Sequence, residues 1–280
     1  MLGVKMEGRS ISYRRFESNY DVDQSQIKNW VEQFHKEGFL FLPQVLKNDH
    51  CQQLRSDLEW SLENNPNGLN SGNASSSMHL CHRMFEHSQA NLNLFDLEPI
   101  VSFAEALVEA HCHVIHNNSF VTRPGGGITG WHQDDGLHYQ VLDGQPPKNV
   151  RLPVLLFTAN YYLTDVAKVE HGGTEVIPGS HLFGARPPSG EIESTPWKDK
   201  VHHNLGPAGS VIMFNNQVWH RGGPNRSSRN RYITQVTYAR RLIGHKYYPF
   251  MNYVMPEHVY RNADDRLKRL LGFLNHGAYG

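Results

Sequence analysis

The chain has 280 residues, in which 27 Lys+Arg are balanced by 27 Asp+Glu. A formal charge of zero argues against nucleic acid as a partner, which normally brings a basic excess, and against an acidic disordered tail. With 39% hydrophobic residues, 24 Gly and 15 Pro, the composition fits a loop-rich globular protein large enough to bury a core without disulfides, and does not fit a helical bundle.

The N-terminal stretch through Asp21 lacks the apolar core of a secretory signal, and no run of 18 apolar residues is present, so a cytoplasmic protein with no membrane span is expected. Asp23 can cap a helix that carries Ile27, Trp30, Val31 and Phe34 at i, i+3, i+4, i+7 spacing, with Gly38 as its stop. Phe39 to Leu42 before Pro43 reads as a short buried strand. Asn48 or Asp49 caps a second helix with Leu54, Leu58 and Leu62 on one face, and Pro99 to His111 makes a third. Between them, residues 64–77 form a polar, Gly-rich loop, readable as plain surface or as a lid. From Val114 the texture changes to short β-branched and apolar runs separated by Gly and Pro: 114–122, 153–164, 174–177, 210–214 and 232–238. A helical preface followed by short strands predicts a mainly β architecture with flanking helices, an antiparallel sandwich or jelly roll with helices packed on one face. The tail from 256 to 274 is again partly helical, with Leu267, Leu270 and Leu271 on one side. The expected organisation is a single domain over 1–280, with a helical part at about 20–112, a jelly-roll core at about 113–241 and an extension at 242–280.

Three widely spaced cysteines, Cys51, Cys81 and Cys112, form no CxxC pair and predict inert thiols. Asn73, Asn117 and Asn225 begin glycosylation-type tripeptides, which mean little without a signal peptide. Gly125 to Gly130 matches G-x-G-x-x-G, but Trp131-His-Gln-Asp-Asp-Gly follows where a helix would have to begin, so a tight turn between strands is the better account.

The chemistry-bearing pattern starts at Trp131-His132-Gln133-Asp134. On an extended segment His132 and Asp134 project to one side, while Asp135 projects to the other. Histidine is the commonest metal ligand, and there are 18 of them; even so, H-x-D alone is common by chance. His220, between Trp219 and the Gly222-Gly223 pair, can supply a third ligand or be a satisfied core histidine. Two histidines and one carboxylate with open positions is the facial arrangement of non-haem Fe(II) oxygenases, whereas a closed four-ligand site would look structural. Arg231 opens the strand after the next turn, and its guanidinium fork matches a carboxylate such as the far end of a keto-diacid. Taken alone, an edge-strand surface arginine explains it as well. Arg229 shares its parity and ranks second.

Taken in order, His132-Gln133-Asp134, Gly172 to His181 (with Pro178-Gly179-Ser180-His181), His220 to Asn225, and Arg231 resemble the phytanoyl-CoA dioxygenase (PhyH) family of Fe(II)/2-oxoglutarate oxygenases. The segment from Phe34 to Pro43 is similar to the family's opening segment, and the likeness covers roughly 24–241. The resemblance implies a double-stranded β-helix, a cupin-like jelly roll. It implies Fe(II) on His132, Asp134 and His220, 2-oxoglutarate with its far carboxylate on Arg231, and further co-substrate contacts at Gln133 and Asn118. The implied reaction consumes O2, releases succinate and CO2, and hydroxylates a small-molecule substrate. Because Asp134 is present, hydroxylation or desaturation is favoured over halogenation. Two features depart from the family pattern: Gly222 stands where a hydroxyl residue is common, and 136–152 is a longer insertion placed to shape the substrate mouth. His181 belongs to a turn signature, while His138, His171, His202 and His203 have no matching role. No basic cluster announces CoA phosphates, so a free small molecule is preferred as substrate. The rivals are a cupin-like metal oxygenase or isomerase that needs no Arg231, and a jelly-roll binding protein without activity.

Overall fold

The computed structural model describes residues 15–72, 76–142, 144–146, 148–189, 192–247 and 250–273; the Asn73 tripeptide and the end of the tail at Leu274 lie outside them. Helix α1 (Gln24–Glu37) is followed by β1 (Phe39–Leu42), α2 (Asn48–Asn64), β2 (Met78–His82), α3 (Gln89–Leu92), α4 (Ile100–Leu107), β3 (His113–Thr122), β4 (Leu156–Tyr162), β5 (Thr174–Val176), β6 (His202–His203), β7 (Val211–Asn215), β8 (His220–Gly222), β9 (Arg231–Ala239), α5 (Glu257–Tyr260) and α6 (Asp265–Leu270). The strands form a six-stranded sheet in the order β1-β7-β4-β9-β3-β2 and a three-stranded sheet in the order β6-β5-β8. Every pairing among the named strands is antiparallel, as the short-strand texture predicts.

Local signals explain most of the elements. The Asp23 side chain accepts from the Ser25 and Gln26 amides, which α1 cannot satisfy internally, and Gly38 ends the helix in the left-handed region at φ 81°. Ile27, Trp30 and Phe34 form its buried stripe. The second helix begins one residue earlier than expected: its cap position is Lys47, which makes no side-chain cap bond, while Asp49 sits in the first turn where a negative charge complements the helix dipole. The third helix stops at Leu107 rather than His111, and Cys112 closes the following turn on Glu109.

The large sheet separates two cores. Its outer face packs Phe157, Tyr161, Met213, Val236 and Tyr238 against Phe34, Phe103 and the other helical residues, with Phe34, Phe103 and Phe157 in mutual edge contact at 5.6–5.9 Å. Its inner face, facing the small sheet, carries Phe120, Tyr162, Ile212, Phe214 and Ile233. Alternation along β7 shows why: Val211 and Met213 go to the helices, Ile212 and Phe214 to the interior between the sheets. The polar loop after α2 is stitched down by its own asparagines and pairs with β2 through Ser71 and Leu80. The 136–152 segment is tied to α1 by the Arg151–Glu32 pair and to the 180–184 turn by Tyr139, and lines a cleft of about 360 Å³ with His35 and His181. Among the described residues no helix is long and apolar enough to cross a membrane.

Several of the histidines are buried or half-buried. Burial drives His87, His116, His181 and His245 down to about 4. Each holds a proton more readily in the unfolded chain, near 6.5, so their contribution to stability is whole above that pH and is lost as pH falls toward 4. The melting temperature read by circular dichroism is therefore expected to fall by more than about 5 °C between pH 6.5 and 4. A melting temperature unchanged across that window would contradict this assignment.

Candidate metal centre

His220 opens β8, and the residues before β4 return beside it. The amide of each of His132 and His220 donates to the carbonyl of the other at 3.0 Å, an antiparallel bridge. Residues paired in this way present their side chains on the same face, and the two rings lie 4.3 Å apart. Asp134, two residues on, returns to that face, and its amide is anchored on the Asn216 carbonyl at 3.1 Å. Its Oδ1 lies 3.3 Å from His220 Nε2 and 3.7 Å from His132 Nε2. One donor atom from each of the three side chains falls within 4.8 Å of the others.

The tautomers suit a metal. His132 Nδ1 donates to the Gly130 carbonyl at 2.8 Å and His220 Nδ1 to the Val218 carbonyl at 2.9 Å. A carbonyl only accepts, so each Nδ1 carries a proton, which leaves Nε2 as the ring atom that faces the cluster and can give a lone pair to a metal. Burial and then the neighbouring His220 lower the His132 imidazole. Burial would lower His220 as well, but attraction to Asp134 outweighs it and raises that ring. Burial would raise the Asp134 carboxyl, but attraction and a hydrogen bond from His220 hold it below the ordinary range. Phe214 packs against His220 at 4.4 Å and limits water on that side.

The cluster opens into a cavity of about 160 Å³ lined among others by Leu80, Asn118, Phe120, Asn160, Ile233 and Arg231. Arg231 is 4% exposed. Its Nη2 donates to Thr122 Oγ1 at 3.1 Å and one Nη1 proton to the Gly223 carbonyl at 3.2 Å, while Nε has no partner. No carboxylate pairs with it among the described residues, and burial pulls its pKa down to about 10. A buried guanidinium without a counter-charge is costly, and a carboxylate entering this cavity would relieve the cost. The residues present therefore fit a divalent metal at one end of the cavity and a carboxylate at the other. Gly222 leaves space beside the fork: a Cβ there would meet Arg231 Nη2 only at 3.6 Å.

The other expectations divide. Asp135 turns away, pairs with Lys246 at 2.8 Å, and is held at about 2, where burial is outweighed by the neighbouring His138 and by Lys246. Arg229 is exposed and reaches His171, not the cavity. Gln133 does not line the cavity: sitting between two residues that face the metal side, it points the opposite way and donates to the Gln217 carbonyl at 2.8 Å. Asn118 does line it, with its amide shared between His82 and His116. His181 serves the fold, bonding the His35 carbonyl at the end of α1. Gly125 to Gly130 is a turn laced to 222–225 by backbone bonds. Sequence reasoning missed Gln217, whose side chain ties Gly136 and His138 and so steadies the ligand loop. It also missed Thr122, although Thr122 stands opposite Arg231 across β3 and β9.

The family's sequence model, phytanoyl-CoA dioxygenase (PhyH), matches residues 34–233, and the chain belongs to that family. It is 34% identical over 110 residues to a dioxygenase, andF, of Emericella variicolor; the match takes in 39% of this chain and about a third, 34%, of that protein. Among solved structures it resembles HygX from Streptomyces hygroscopicus with nickel and 2-oxoglutarate bound, with TM-score 0.62 and 14% identity over 81% of this chain and 90% of that one. It also resembles the epimerase SnoN in complex with Fe3+, alpha ketoglutarate and nogalamycin RO, with TM-score 0.58 and 18% identity over 83% and 91% of the two chains. These likenesses show the jelly-roll fold.

Gly172 has φ +73°, and a Cβ there would lie 2.5 Å from the Gly223 carbonyl oxygen and 2.9 Å from Arg231 Nη1. Gly172→Ala is expected to destabilise the fold by about 1–3 kcal/mol through backbone strain, read by urea unfolding. Wild-type stability in that variant would contradict the packing described around Arg231.

Proposed function

We propose that this chain is an Fe(II)- and 2-oxoglutarate-dependent dioxygenase acting on a small-molecule substrate, with His132, Asp134 and His220 as metal ligands and Arg231 as the co-substrate anchor. The observation that carries the proposal is the pairing of a convergent His/Asp/His set with a buried arginine lacking a counter-charge in the same cavity. Bound iron and 2-oxoglutarate supply the O2-dependent oxidation of the substrate, with succinate and CO2 as co-products.

The chain's own residues bind, orient and exclude water. The Gly130 and Val218 carbonyls hold both imidazoles with Nε2 toward the cluster. Asp134 supplies a charge that offsets part of the metal's. Arg231, aimed by Thr122 and Gly223, offers its fork to the far carboxylate of a keto-diacid. Phe120 and Ile233 line the walls between the two ends, matching the methylenes of such a molecule and keeping the cavity dry. Gln133 acts through Gln217 in steadying the ligand loop, so its role is positioning.

The rival, a cupin-like metal enzyme without 2-oxoglutarate, leaves the uncompensated charge on Arg231 unexplained. Anaerobic titration with Fe(II) and 2-oxoglutarate is expected to produce the visible metal-to-ligand charge-transfer band. His132→Ala, Asp134→Ala or His220→Ala should abolish it. Arg231→Leu should keep metal uptake but weaken 2-oxoglutarate by at least about 100-fold, the loss of two charge-assisted hydrogen bonds. Unchanged co-substrate affinity in Arg231→Leu, with no succinate formed by the wild type, would overturn the assignment in favour of the rival.

A further inference from the structure

Behind the ligands, the inner face of the large sheet is ordered in cross-strand rows. Thr122 and Arg231 stand at one end, Phe120 and Ile233 form an apolar row next to them, and His82, Asn118, Gln235 and Asn160 form a polar row beyond. Gln235 closes on Asn160 at 3.1 Å. Asn118, Gln235 and Asn160 line the cavity, and just beyond its lining at the β2 edge two imidazoles share the Asn118 amide: His82 Nδ1 lies 3.1 Å from Asn118 Oδ1, and His116 Nε2 lies 2.8 Å from Asn118 Nδ2.

That sharing settles which ring atoms carry protons. The amide oxygen only accepts, so His82 is protonated on Nδ1 and keeps a lone pair on Nε2. The amide nitrogen only donates, so His116 accepts at Nε2 and keeps its proton on Nδ1. Among the described residues neither His82 Nε2 nor His116 Nδ1 has a hydrogen-bond partner, and both residues are half-buried. The pair thus offers one acceptor and one donor. His116, two residues before Asn118 and opposite Thr237 on β9, stands one row further along the same face.

The wall is polar without an uncompensated charge. The cations whose fields reach the two rings are Arg83 and Lys246; the first is paired with Glu86 at 3.5 Å and the second with Asp135 at 2.8 Å. Burial keeps both rings neutral at pH 7. Met78 and Leu80 precede His82 on the same face of β2 and are partly buried apolar residues of the cavity. A carboxylate or a CoA phosphate would find no free cation on this wall, whereas a hydroxyl or carbonyl oxygen on an uncharged carbon skeleton would find both a donor and an acceptor beside an apolar surface.

We propose that His82 and His116, locked by Asn118, recognise an oxygen function of the substrate, and that the substrate is a neutral oxygenated hydrocarbon packed on Met78 and Leu80 rather than an acid or an acyl-CoA. This rests on the dioxygenase reading.

The test uses the full chain loaded with Zn(II) and 2-oxoglutarate, so that binding is read without turnover. Three probes are compared by saturation-transfer NMR and by the imidazole 15N shifts of His82 and His116: decahydro-2-naphthol, decahydronaphthalene-2-carboxylate and octanoyl-CoA. The neutral alcohol is expected to bind, to shift both imidazoles, and to bind at least about tenfold more tightly than the two anions. His82→Phe and His116→Phe should each weaken the alcohol about fivefold to tenfold, the loss of one hydrogen bond, with Zn(II) uptake and circular dichroism serving as the folding control. Should either variant fail to fold, the wild-type imidazole shifts decide the matter. Tighter binding of either anion, wild-type affinity in both variants, or no probe bound to a chain that holds Zn(II) and 2-oxoglutarate would overturn the proposal. Failure to take up the metal or the co-substrate would instead overturn the dioxygenase reading beneath it.

Discussion

The site depends on one antiparallel bridge. His132 and His220 come from distant parts of the chain, and two backbone hydrogen bonds of 3.0 Å set them opposite each other. Opposition in that register makes side-chain direction a consequence of backbone pairing: both imidazoles must leave the same face, and alternation then returns Asp134 to it. A slip of one residue would turn His132 away and bring Gln133 in. Much of the surrounding structure holds this register. The Asn216 carbonyl anchors Asp134, Gln217 ties Gly136 and His138, and Phe214 braces the His220 ring.

The second organising fact is where charge is left uncompensated. Two other clusters pair their charges: buried Glu175 takes Arg221 and His203, and half-buried Glu105 takes Arg266 and Arg269. Arg231 alone of these sits with only a hydroxyl and a carbonyl for company. The glycines at 172 and 223 bring backbone close to it, giving neutral acceptors that orient the fork without neutralising it. The interior between the sheets is therefore graded, from a cation through an apolar band to a polar row and the ligand set. That gradient suits a molecule with a chelating end, a methylene middle and an anionic far end.

Where residue parity decides the outcome, the sequence was readable. The α1 stripe, its Asp23 cap and Gly38 stop, the run from Phe39 to Leu42, and the shared direction of His132 and Asp134 all follow from helical or extended periodicity. The same rule separates Asp135 and Gln133 from the ligands, and it speaks against a cavity contact for Gln133, which only the family resemblance had implied. What could not be read was set by pairing across the sheet. Strand β2 is a five-residue edge strand with two histidines and no β-branched or aromatic apolar residue, so its sequence carries no strong strand signal. Thr122 meets Arg231, and Asn118 meets His82 and His116, only because of the β2-β3-β9 register. Lys47 takes the α2 cap position ahead of better capping residues, with no side-chain cap bond.

Two main-chain carbonyls lock both imidazoles of the proposed metal centre with Nε2 toward Asp134. Long-range 1H–15N NMR of the Zn(II)-loaded, 15N-histidine-labelled protein tests it most directly. The account predicts His132 and His220 in the Nδ1–H form, with both Nε2 resonances moved on metal addition and Nδ1 still protonated. Metal-induced shifts at Nδ1, or an Nε2–H tautomer for either ring in the loaded protein, would contradict it.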